Sequence, residues 1–182
     1  ASMHTIALDE GKVIGGIRVT VLSENGLCHD GEVDCFLKKL NLHKHARTYR
    51  AQLRQLSESK RKVTEVARLF VSEDYRRFIN PQSNVGLNLI VLTYYYFKDN
   101  GVEGVFIIQG NKYKTGRIYE KMGFSNLIDV EDKKPLEPFL EFNDVCTLMY
   151  METSRISELF SKFVDGLKRS KPKVTIICKK GS

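Results

Sequence analysis

The sequence predicts an α/β protein with a mixed sheet. Three observations carry that expectation. The chain starts on an alternating stretch, "HTIALDEGKVIGGIRVTVLSE", broken by a turn signal at Asp9-Glu10-Gly11. Its middle then switches between strand-like and helix-like patterns, through "TEVARLFV", "VGLNLIVLTYYYFKDNG", "VEGVFIIQ" and "NKYKTGRIYEKMGF". The length, 182 residues, suits a single domain over 1–182 that buries its core without disulfide or metal staples.

Each element follows from local pattern. His4–Leu8 and Val13–Leu22 read as the two strands of a hairpin. "NGLCHDGEVD" reads as loop, and Phe36 to Lys62 as helix, with Tyr49, Leu53 and Leu56 on one stripe. "TEVARLFV" is rich in β-branched and apolar residues, which favours a strand. "VGLNLIVLTYYYFKDNG" is apolar on nearly every side, so it predicts a buried helix, stopped by Asn100-Gly101. "VEGVFIIQ" follows as a buried strand. A second helix in "NKYKTGRIYEKMGF" ends at Gly123, the expected left-handed cap. "CTLMYME" is a further strand, Ser154 the expected N-cap of a helix over Arg155–Lys168, and "KVTIICKK" a last strand. The central strand–helix–strand unit is expected to cross over right-handedly. Ligands in such sheets sit at the C-terminal strand ends beside a helix N-terminus, here Ser72 to Gly86.

Composition narrows the function classes. A hydrophobic fraction of 42% and a charged fraction of 28% fit a soluble globular chain. Cys28, Cys35, Cys146 and Cys178 form no CxxC pair, so a reduced, cytoplasmic protein is expected. No signal peptide and no bilayer-spanning run is seen. Cys28, His29, Cys35, His43 and His45 match no closed zinc spacing, so no metal is expected. There is no GxSxG motif, P-loop or Rossmann glycine pattern. The net charge is +7, and residues 35–64 hold nine Lys or Arg against one acid, Glu58. That segment is either a solvated helix face or a landing surface for an acidic partner.

Several polar residues interrupt apolar stretches. Glu65 and Arg68 lie three apart on the "TEVARLFV" strand, where regular alternation points them to opposite faces unless a bulge intervenes. They read as a structural ion pair, as an exposed edge, or as the border of a polar cleft. Arg18 interrupts the hairpin just after Gly15-Gly16, glycines that permit a close backbone approach or a bulge. Arg76-Arg77 and Gln82 to Gly86 precede the buried helix, a setting for phosphate or simply a good helix start. Tyr119 is either a core aromatic with a polar tip or a proton donor.

"EVARLFVSEDYRR", then a buried helix leading into "DNGVEGVFII", then "GRIYEKMGF", together resemble the acyltransferase core of the GNAT superfamily. The nearer resemblance is to its acyl-homoserine-lactone (autoinducer) synthases and long-chain N-acyl amino acid synthases. It rests on "GGIRVTVL", on a helical insertion before the central strand and on Glu65-Val66-Ala67-Arg68, and runs from about Ile6 to Phe124. It implies a mostly antiparallel sheet with splayed central strands, and transfer of an acyl group from acyl-CoA or an acyl carrier protein to an amine such as an amino acid. By position, Glu65 would help deprotonate the amine, Arg68 and Arg18 would anchor a carboxylate or hold the cleft, and Tyr119 would protonate the departing thiolate. The donor's phosphates would lie by Val71, Arg76, Arg77, Asn84 and Gly86, and the basic 35–64 segment would meet an acidic carrier protein.

Two departures qualify the resemblance. The hairpin sits at the very start of the sequence, so the N-terminal helices that usually precede it are expected to be absent. Gln82 to Gly86 is also a poor version of the pyrophosphate signature. The alternatives are a non-catalytic GNAT-like module that binds a ligand or partner, and a nucleic-acid-associated protein. Only the basic segment supports the second, and no nucleic-acid motif accompanies it.

Overall fold

The computed structural model describes residues 2–29, 31–75, 84–111, 116–141, 143–156, 160–162, 165 and 175–180, with the backbone alone at 68, 116 and 175–180. The expected hairpin forms. Strand β1 (Ser2–Asp9) pairs antiparallel with β2 (Lys12–Glu24), with Thr5 opposite Ile17. Glu10 and Gly11 turn the chain with φ of 47° and 81°. Two successive left-handed residues match the twist of the strands they join.

A second hairpin lies inside the stretch expected to be loop. Asn25 and Gly26, at φ 54° and 83°, fold β2 back into β3 (Leu27–Cys28). Asn-Gly is itself a strong hairpin signal. The single helix expected from Phe36 to Lys62 is two helices, α1 (Glu32–Lys39) and α2 (His43–Glu58). Asn41 adopts φ 56° between them, a left-handed conformation that no continuing right-handed helix admits.

The middle follows expectation: β4 (Val63–Val71), α3 (Val85–Asp99), β5 (Gly104–Gly110) and α4 (Gly116–Met122) come in that order. Gly123 closes α4 at φ 113°, and its N–H donates to Tyr119 and Glu120 carbonyls. Two short strands, β6 (Ser125–Asn126) and β7 (Phe139–Glu141), precede β8 (Asp144–Glu152). The helix expected to start at Arg155 does not start there. Thr153–Arg155 form a 3-10 turn with Ser154 inside it, and Ile156 is extended at φ −56°, ψ 123°. Residues 160–162 and 165 are helical. The last strand, β9 (Thr175–Lys180), pairs antiparallel with β1.

The strand order is β6-β8-β5-β4-β2-β1-β9, with β3 added to β2 and β7 to β8. The β1–β2, β1–β9, β2–β3, β5–β8, β6–β8 and β7–β8 ladders are antiparallel. The sheet is therefore mixed α/β in class and mostly antiparallel, flanked by helices.

The chain forms two compact units. The first comprises Ala1–Thr20, Val66–Asn100 and Glu158–Ser182, and the second Val21–Glu65 and Gly101–Ser157. In the first, Ala7, Ile14, Ile17, Val85 and Leu89 make a core, joined by Val66, Leu69, Val71 and Tyr75. Gly15 explains how α3 comes so close. A Cβ there would lie 2.8 Å from Val85 Cγ1, so that side chain would have to shift, and a tight 3.1 Å from the Phe70 carbonyl oxygen. In the second unit, Leu22, Val33, Leu37, Tyr49, Leu53, Val63, Phe106 and Leu148 share one core, with Tyr49 edge-on to Phe106 at 4.8 Å. No described helix is long and apolar enough to cross a membrane.

Candidate active site

Glu65 is wholly buried on β4 in the second unit. Its carboxylate accepts from two backbone N–H groups at the start of α1, Glu32 at 2.7 Å (Oε1) and Val33 at 3.1 Å (Oε2). The Tyr49 hydroxyl donates to it at 3.5 Å. Those N–H groups have no partner within the helix, and the N-cap residue, Gly31, has no side chain to offer one. A carboxylate from a distant strand thus does the work of a cap. Burying an ionised carboxylate is costly unless donors surround it, and the helix dipole adds to them. Burial, and next the Glu65 charge, push the Tyr49 phenol far above its ordinary range, so it stays protonated and donates.

The alternation on β4 breaks downstream of Glu65. Val63 and Glu65, two apart, share the side of α1 and α2. Val66, Leu69 and Val71 all pack on the other cluster, in the first unit. Val66 and Leu69 are an odd number apart, so strict two-residue alternation does not account for both. Arg68 lies in that interval, and its side chain is outside the described residues.

Arg18 stands opposite His4 on β2. That strand runs between β4 and β1 rather than along an edge, and Arg18 Nε and Nη2 are shielded from solvent. Tyr119, on α4 in the second unit, is buried and packs edge-on against Phe124 at 5.6 Å. Burial pushes its phenol up to about 12.

Val71, Asn84 and Gly86 come together in the first unit, where β4 ends and α3 begins. Asn84 caps α3, its Oδ1 accepting from Leu87 N–H at 2.8 Å. A Cβ on Gly86 would sit 3.4 Å from Val71 Cγ2, an ordinary contact, so packing does not demand glycine there. The Tyr75 hydroxyl donates to Asp9 at 2.5 Å, tying the end of the "VSEDY" segment to the β1–β2 turn. Arg76 and Arg77 lie outside the described residues.

The basic 35–64 segment is largely answered from within the second unit. Lys44 pairs with Asp132 at 2.8 Å, Arg47 with Glu131 at 2.7 Å and Arg50 with buried Asp34 at 3.1 Å. Lys38 also pairs with Asp34, Lys62 with Glu24 at 2.8 Å, and Arg61 with Glu152 at 3.5 Å. Lys39, Arg54 and Lys60 make no ion pair among the described residues. Buried Asp129 anchors the acidic loop to α2. It accepts from the Asp132 and Glu131 N–H groups at 3.0 and 2.7 Å and from Thr48 Oγ1 at 3.0 Å. Those donors, Asp132 first, hold its carboxyl down at about 2.

The sequence did not mark Tyr49 and Gly31 as neighbours of Glu65. Tyr49 read only as part of an apolar stripe. A faint signal was there in Gly31-Glu32-Val33-Asp34, a glycine before an acidic first turn, which is a helix start without a side-chain cap.

No protein-family model and no curated protein sequence matches the chain. Solved structures do. FeeM, an N-acyl amino acid synthase from uncultured soil microbes, matches 86% of this chain and 78% of its own, with TM-score 0.55 and 14% identity. BjaI, a CoA-dependent acyl-homoserine lactone synthase solved with MTA, matches 94% of this chain with TM-score 0.53 and 17% identity. MesI, another CoA-dependent acyl-homoserine lactone synthase, matches 93% with TM-score 0.50 and 10% identity. The chain shares their fold. It spans 66% of BjaI and 68% of MesI.

Proposed function

We propose that this protein is an N-acyltransferase, moving an acyl group from a phosphopantetheine thioester to the amine of a small acceptor such as an amino acid. The observation that carries the reading is the fold held in common with FeeM and BjaI over most of the chain. The α3 start supports it, since Asn84 and Gly86 leave a capped helix N-terminus beside the end of β4. A helix start of that kind favours the phosphates of a donor, with Val71, Arg76 and Arg77 alongside.

The chemistry needs an uncharged amine. Its nitrogen attacks the thioester carbonyl carbon, a tetrahedral oxyanion forms, and the C–S bond breaks to leave a thiolate. Tyr119 fits the leaving group as a hydrogen-bond donor. A phenol held at about 12 does not readily surrender its proton to a thiolate whose ordinary pKa is ~8.5. It donates a hydrogen bond as the bond breaks, and water relays to the thiolate the proton that the attacking nitrogen loses as the amide forms. Arg18 and Arg68 are assigned to the acceptor's carboxylate or to the cleft walls. The ammonium proton has two routes, to Glu65 or to solvent before attack. The engaged oxygens of Glu65 favour solvent.

Acyl-CoA and acyl carrier protein share the same arm. A carrier protein docking on 35–64 would find Lys39, Arg54 and Lys60 least committed to partners in the chain. The test is thiol release from acyl-CoA and acyl-carrier donors of several lengths, with a panel of amino acids as acceptors and mass detection of the amide. Amide formation supports the reading. Donor binding without thiol release for any acceptor overturns it, in favour of a GNAT-like binding module.

A further inference from the structure

We propose that Glu65 is a positioning residue that holds the start of α1 against β4, and that it does not accept the proton of the amine. The inference rests on the N-acyltransfer reading, but its first test does not need turnover.

The geometry leaves Glu65 little capacity for proton transfer. One oxygen is 2.7 Å from Glu32 N and the other 3.1 Å from Val33 N, with the Tyr49 hydroxyl as a third donor. A proton on either oxygen would remove the charge that strengthens both N–H bonds and so weaken the cap of α1. The side chain has no exposed surface through which an amine could reach it. Among the described residues, Asp34 and Cys28 are the other titratable groups that act on Tyr49. Asp34 is already engaged by Lys38 and Arg50.

The fit is built from the α1 side as well. A Cβ on Gly31 would strike Glu65 Oε2 and would come within 2.6 Å of Leu22 Cδ2 and 2.8 Å of the Tyr49 hydroxyl oxygen. Any larger residue would force the Glu65, Leu22 and Tyr49 side chains to shift before the backbone could come down onto the carboxylate. The cap therefore needs residues from three places in the chain: Gly31, Tyr49 and Glu65. On this view the Glu-x-x-Arg stretch of β4 divides its work. Its first residue orders the helical insertion, and only the later part of the strand is left to face substrate.

Amide hydrogen exchange on the wild-type protein is the first experiment. Glu32 and Val33 N–H should exchange at least tenfold more slowly than Lys44 and His45 in the first turn of α2, where Leu42 supplies no side-chain cap. Equal exchange overturns the proposal whether or not the protein turns over. The second experiment uses Glu65→Gln, with Tyr49→Phe as the milder variant should Glu65→Gln not fold. Either substitution should speed exchange at Glu32 and Val33, and turnover should fall while the acidic limb of the kcat–pH profile keeps its midpoint. Loss of that limb with protection intact would mean that Glu65 is the base, and the proposal fails. If no donor and acceptor pair reacts, N-acyl transfer fails while the exchange result still decides the role of Glu65.

Discussion

Replacing Asn84 separates two jobs assigned to the start of α3. The side chain is buried and its Oδ1 accepts from Leu87 N–H at 2.8 Å. Asn84→Ala leaves that N–H without its acceptor, at a cost of about 1 kcal/mol. In a chain of this length ~1 kcal/mol moves Tm by about 2–4 °C. Asn84→Asp keeps an acceptor oxygen in place and adds a charge that the helix dipole favours, so Tm should hold or rise slightly. The same charge competes with a donor's phosphates for the same dipole. Coenzyme A should therefore bind Asn84→Asp about tenfold more weakly, a change of ~1.4 kcal/mol. Thermal unfolding with and without coenzyme A measures both effects, with calorimetric titration for affinity. An unchanged Tm in Asn84→Ala would refute the capping argument. Unchanged coenzyme A affinity in Asn84→Asp would refute the placement of the phosphates.

Other outcomes rest on the same geometry. Tyr119→Phe should fold normally, since the ring still packs on Phe124. It should lower turnover by up to about 10²-fold, toward the lower end of general-acid effects, because its role is a hydrogen bond; unaltered turnover removes Tyr119 from the mechanism. Asp129 gives a pH signature. Its carboxyl sits at about 2 in the folded chain against an ordinary 3.8. A depressed carboxylate contributes fully above its unfolded value and loses that contribution as pH falls through its folded value. Wild type should lose stability between pH ~4 and ~2, and Asp129→Asn should flatten that step in acid unfolding while lowering stability at neutral pH. If carrier-protein binding occurs, the triple change Lys39→Glu, Arg54→Glu and Lys60→Glu should weaken it and reduce its salt dependence. The same change should leave turnover of acyl-CoA unaltered.

Local grammar made much of the fold legible. The Asp9–Gly11 turn, the Asn100-Gly101 stop and the Gly123 cap each depend on the φ preferences of one or two residues, and the structure has left-handed residues at Glu10, Gly11, Gly101 and Gly123. The same grammar was present and unread at Asn25-Gly26, where a hairpin turn lies in an expected loop. Asn41 was harder. Helical periodicity continues across it, and only its positive φ splits α1 from α2.

Alone, the sequence determined which stretches alternate and which turn, where α3 begins and ends, and that two charges on β4 needed an explanation. These are properties of neighbours in the chain, and local sterics settle them. What Glu65 touches was decided only in three dimensions. Its donors are 32, 33 and 16 residues away along the chain. They meet it because Gly31 has no Cβ to keep them apart. The basic segment took the same course. As a sequence it is a run of unanswered cations, and in the fold Glu24, Asp34, Glu131, Asp132 and Glu152 come to meet it. Charge balance between distant segments depends on which surfaces packing brings together, and no window along the chain contains that information.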